Sequence, residues 1–121
     1  MSVRVALCCV LFLAFAACAR RAREPERGDV ARGRELILKH ECWDCHIIPG
    51  IDRAPGPGVP TSLAGFAEES SFANETLENT RQNLETYIQK PKSLYPQARM
   101  PGIGDAPEDA RDIAAYLMTL D

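Results

Sequence analysis

The sequence predicts a small all-α domain with long loops. Three stretches open on helix-initiating residues and carry apolar side chains at helical spacing. No strand-like alternation runs longer than a few residues, and residues 47–60 are dense in proline and glycine. With 121 residues the chain has room for one domain.

The amino terminus comes first. Val5 to Ala17 is an almost unbroken apolar run, with Arg4 before it and Arg20, Arg21 and Arg23 after it. Its thirteen residues fall short of the roughly twenty that a spanning helix needs, so residues 1–17 read as an export signal. Phe15-Ala16-Ala17-Cys18 resembles a lipoprotein cleavage site, with Phe15 where leucine is usual, and makes Cys18 the candidate lipidated residue. Ordinary signal cleavage and an uncleaved anchor are the alternatives. All three put the domain outside the cytoplasm. Residues 18–28 are rich in Arg and Glu, lack apolar periodicity and read as a tether.

The domain spans residues 29–121. Asp29 is a good N-cap for a first helix through Val30, Gly33, Leu36, Ile37 and His40. Thr80 caps a second helix with Leu84, Tyr87 and Ile88 on one face, which Pro91 should stop. The last helix begins near Pro107, with Glu108 and Asp109 in the turn where acids favour the helix dipole. Ile113, Tyr116, Leu117 and Leu120 form its apolar stripe.

Charge narrows the partners. From Asp29 onward nine Lys and Arg face fifteen Asp and Glu, a net of −6. Nucleic acid, which demands a basic footprint, is therefore a poor partner. The basic stretch from Arg20 to Arg27 instead suits anionic lipid head groups near a membrane. A domain this small and this poor in large apolar side chains also needs a staple, and a flat apolar cofactor would supply the missing centre.

Cys42-Trp43-Asp44-Cys45-His46 points to that cofactor. The pattern C-x-x-C-H attaches c-type heme. Two thiols three residues apart reach the two vinyl groups on one porphyrin edge, and the adjacent imidazole falls under the ring to bind iron. A thioredoxin-like pair would need a strand-helix-strand context, which is absent. A zinc site with His40 lacks a second spaced pair. A plain disulfide between Cys42 and Cys45 is a further alternative.

At these residues the chain resembles the class I cytochrome c family, over residues 28–120. Gly28 to Leu36 is similar to the family's first helix, where a glycine lets the terminal helices cross closely. The resemblance gives Gly33 that role, with Tyr116 packed against it and Ile37 where an aromatic residue is usual. Asn83 through Met100 lies on mitochondrial-type cytochrome c without a gap, which implies Met100 as the second iron ligand. Tyr87 then falls where a hydroxyl contacts the ligand sulfur. Met118, inside the last helix, reads as ordinary packing.

The family also holds the ligand histidine through a proline carbonyl in a Gly-Pro-x-Leu segment. This chain departs from it, reading Gly56-Pro57-Gly58-Val59-Pro60-Thr61-Ser62-Leu63. Pro57 has the preceding glycine, whereas Pro60 lies nearer the leucine. Pro57 is preferred.

The resemblance thus implies one covalent heme c, with its iron, and a single-electron carrier rather than an enzyme. Residues 79–101 are further similar to the cytochrome c domain of heme-copper oxidase subunit II. The expected partner is a redox protein or a membrane respiratory complex, met on the periplasmic side of a bacterial membrane. The alternatives are the heme subunit of a periplasmic dehydrogenase and a ligand-sensing heme protein with an open iron site.

Overall fold

The computed structural model describes residues 27–121; the signal, Cys18 and most of the tether lie outside them. Asp29 caps helix α1 (Val30–Lys39), its carboxylate accepting the Arg32 N–H at 3.0 Å. Strands β1 (His46–Ile47) and β2 (Thr61–Ser62) form a minimal parallel ladder, and β3 (Ser71–Phe72) pairs antiparallel with β4 (Leu77–Glu78). Helices α2 (Arg81–Gln89), α3 (Pro91–Leu94) and α4 (Pro107–Leu117) complete the fold. Thr80 caps α2 by accepting the Asn83 N–H at 3.2 Å.

Pro91 ends α2, as its missing N–H and ring require, but the same ring is pre-organised for a first helical turn. The structure therefore starts α3 at Pro91, directly after the stop expected there.

The core lies where α1 crosses α4, and α2 packs against α4 beside it. Ile37 and Ile113 are fully buried there, flanked by Leu36, Leu84, Ile88 and Leu117. Gly33 permits the crossing: a Cβ added to it would run into the Asp112 carbonyl and stand 3.1 Å from Tyr116 Cβ.

Ionic contacts clamp the same crossing. Arg32 reaches Asp109 at 3.0 Å and Asp112 at 2.9 Å, while Lys39 and His40 approach Asp109 at 3.7 and 3.4 Å. Burial alone would raise the Asp109 pKa. The hydrogen bonds from Arg32 and His40, with the charges of Lys39 and Arg32, bring it below the ordinary value.

Candidate heme site

Helix α1 hands the chain directly to the cysteine pair. His40 closes the helix and Glu41 turns into the left-handed region at φ 54°. Cys42–Asp44 then forms one 3-10 turn, with the Cys45 N–H donating to the Cys42 carbonyl at 3.3 Å. Both thiols are free; Cys45 is exposed and Cys42 half-buried. Burial pushes the Cys42 thiol pKa up, opposed by a backbone hydrogen bond and reinforced by Cys45.

His46 follows in β1, and its strand pairing decides how the ring is held. Thr61 donates its N–H to the Cys45 carbonyl at 3.0 Å, and Leu63 donates to Ile47 at 2.9 Å. His46 Nδ1 lies 3.3 Å from the Thr61 carbonyl oxygen. A carbonyl can only accept, so this bond requires the proton on Nδ1 and leaves the Nε2 lone pair free for a metal. Burial also lowers the His46 pKa, partly offset by the Thr61 bond, which favours the neutral ligand form.

This corrects the expected partner. The carbonyl facing His46 belongs to Thr61, not to Pro57 or Pro60. Pro57 is exposed and Pro60 half-buried, in the loop that precedes β2. Gly56 anchors that loop by donating to the Asp44 carbonyl at 2.9 Å. A Cβ at Gly56 would displace the Asp44 carboxylate and stand 3.3 Å from the Asp44 carbonyl oxygen, so the two backbones approach closely here. Counting two residues back from Leu63, as Gly-Pro-x-Leu prescribes, would have found Thr61.

Met100 is half-buried in the segment after α3. That segment is tied down on both sides: Ala98 donates to Tyr95 at 2.9 Å, Ile103 to Ile88 at 3.0 Å, and Gly104 to Gln89 at 3.2 Å. With Pro101, Gly102, Lys90 and Lys92, Met100 lines a cavity of about 310 Å³. Met118 packs on the core cluster, as its helical position suggested.

Tyr87 projects from α2 into an aromatic string. It meets Phe72 edge-on with ring centres 5.2 Å apart, and Phe72 lies 6.0 Å from Phe66. Burial, with Tyr95 beside it, pushes the Tyr87 phenol up. Nothing in the local pattern of the chain announces Phe72 as its neighbour, or Phe66 behind it.

Two free thiols on one turn, followed by a histidine held in the metal-binding tautomer, define a domain built to carry c-type heme. The donor set fits the group: two thiols for thioether formation and an imidazole oriented by the Thr61 carbonyl.

The chain belongs to the cytochrome c family, whose model, "Cytochrome c", matches residues 30–121. It is 34% identical over 98 residues to cytochrome c oxidase subunit 2 of Alkalihalophilus pseudofirmus, covering 80% of this chain but only 27% of that subunit. It is 27% identical to cytochrome c2 of Rhodomicrobium vannielii, covering 76% of this chain and 79% of that one. Cytochrome cH from Methylobacterium extorquens shares the fold with a TM-score of 0.54 at 24% identity, over 76% of this chain and 99% of that one. Membership implies one covalently bound heme c with its iron and supports an electron-carrier role, while the chain spans only about a quarter of the oxidase subunits it matches.

Proposed function

We propose that the protein is a membrane-tethered shuttle that passes single electrons to or from a respiratory complex on the periplasmic side of a bacterial membrane. The single observation behind the site assignment is the His46–Thr61 contact beside the Cys42–Cys45 turn. In this reading Cys42 and Cys45 would hold the heme through two thioethers, and His46 Nε2 and Met100 Sδ would be its iron ligands. Bound heme supplies a reversible one-electron couple between ferric and ferrous iron.

The chain's own residues do the rest. Thr61 keeps the Nδ1 proton in place and so fixes ring orientation and ligand basicity. The backbone ties around Met100 hold its segment in one position, so little rearrangement need accompany a change of iron charge. By the family resemblance Tyr87 would offer its phenol to the Met100 sulfur. Kinship with an oxidase subunit supports an oxidase-type complex as the partner.

The tether rests on Cys18 and the export signal. Among the described residues no helix is long and apolar enough to cross a membrane. Two assays test the proposal. Reduced holoprotein added to membranes of its own bacterium should be reoxidised in a cyanide-sensitive reaction. Cys18→Ala should move the heme protein out of the membrane fraction with its spectrum intact. Failure of reoxidation would overturn the respiratory role, and a mature terminus at Ala19 or beyond would overturn the lipid anchor.

A further inference from the structure

Helix α2 ends without enough local donors. The last carbonyls of a helix have no partner further along it, and Pro91, with no N–H, cannot bond back to Tyr87. The segment that follows Met100 supplies donors instead. Ile103 donates its N–H to the Ile88 carbonyl at 3.0 Å, and Gly104 donates to Gln89 at 3.2 Å. The Met100 segment thus caps the helix that carries Tyr87.

Gly102 is where these two pieces of backbone meet most tightly. A Cβ added there would run into the Gln89 carbonyl oxygen and stand 2.9 Å from both the Gln89 carbonyl carbon and Pro91 Cδ. Neither neighbour is the free end of a flexible side chain: one is helix backbone, the other the ring of a buried proline. Nothing else asks for glycine here, because Gly102 is exposed and its φ lies outside the left-handed region. Gly104 is the opposite case, left-handed at φ 85° with open space around it. The Lys90–Asp105 pair also spans this junction, at 3.6 Å, but both side chains are exposed, where an ion pair holds weakly.

We propose that Gly102 is a positioning residue for Met100: its missing Cβ lets the segment close onto α2, and that closure sets where the Met100 thioether stands. This rests on the reading of Cys42 and Cys45 as the heme attachment and of Met100 as an iron ligand. Two residues span at most about 7 Å, so a displacement at Gly102 passes to Met100 with little slack. Pro101, between them, stiffens the link through its fixed φ. An added methyl must push the segment off the Gln89 carbonyl and loosen the Ile103 and Gly104 bonds with it. Linkage makes the effect reciprocal: if opening this junction weakens the thioether–iron bond, losing that bond weakens the junction equally.

The first test compares two variants of the holoprotein. Gly102→Ala should weaken the ferric charge-transfer band between thioether and iron, and raise the fraction of ferrous protein open to carbon monoxide by about tenfold, a modest overpacking penalty. Gly33→Ala sets the same methyl against a helix carbonyl at the α1–α4 crossing. It should lower stability and leave both signals at wild type. Wild-type signals from Gly102→Ala, or an equal change in Gly33→Ala, would overturn the proposal.

The second test needs no variant. Imidazole, added to ferric wild type until the charge-transfer band is gone, should speed exchange of the Ile103 and Gly104 amide hydrogens by about tenfold. The Met118 amide, which donates to Ala114 at the end of α4 at 3.0 Å, should stay as protected as before. Unchanged exchange at Ile103 and Gly104 would overturn the proposal even if Gly102→Ala fails to fold. Solvent extraction and the visible spectrum of the same samples report the underlying reading separately. Extractable heme, or a wild type without the thioether band, would overturn that reading and this proposal with it.

Discussion

The Tyr116 hydroxyl donates to the Pro49 carbonyl at 2.6 Å, joining the C-terminal helix to the loop that follows His46. Arg34 from α1 grips the next carbonyl, Gly50 O, with two nitrogens at 2.9 and 3.1 Å. The loop behind the heme-binding histidine is thus held from both terminal helices. Tyr116→Phe removes one hydrogen bond and little volume, and should cost about 1 kcal/mol in denaturant unfolding. Gly33→Ala should cost more, about 1–3 kcal/mol, because the added methyl meets the Asp112 backbone. Equal effects from the two changes would argue against the close crossing.

Asp109 links stability to pH. Its folded-state pKa lies below the ordinary value, so its contribution is full above the unfolded value, near 3.9, and is lost as pH falls toward the lower folded one. Asp109→Asn should therefore lower the melting temperature at pH 7, and the difference from wild type should shrink below about pH 4. A deficit that persists unchanged into acid would mean that the clamp acts by shape and not by charge.

Lys92 and Arg99 flank the Met100 segment of an otherwise acidic domain, and among the described residues no ion pair holds either one. Lys90, by contrast, faces Asp105 at 3.6 Å. If Lys92 and Arg99 steer docking to an acidic partner, reversing both charges should slow electron transfer at low ionic strength and leave it unchanged at high salt. The heme potential should barely move. Wild-type rates across the whole salt range would reduce both residues to solvated surface.

What the sequence could reveal follows from how local each feature is. The caps at Asp29 and Thr80 and the heme-binding pentapeptide are contiguous, so their chemistry can be read along the chain. Gly33 against Tyr116 could be proposed from resemblance because an interior glycine is costly without a packing reason. The carbonyl that holds His46 was misplaced because a two-residue parallel ladder fixes it, and that register depends on Gly56 closing onto Asp44 across the loop. The β3–β4 hairpin gave no local signal either. Its turn places Ala73, Asn74 and Glu75 at φ of 51, 58 and 60°, left-handed geometry without a glycine to announce it. Asn79, whose three donated bonds brace the segment before that hairpin, was invisible for the same reason.

The central claim is one covalent heme whose iron is closed by His46 and Met100, and absorption spectra of the holoprotein in both oxidation states, with carbon monoxide added to the reduced form, test it most directly. The wild type should show a low-spin c-type spectrum that carbon monoxide leaves unchanged, and its heme should resist extraction into acidified organic solvent. Met100→Ala should bind carbon monoxide and have a lower reduction potential, since a thioether ligand favours ferrous iron. Met118→Ala should do neither. Rapid carbon monoxide binding by the wild type, or heme that extracts freely, would contradict the account.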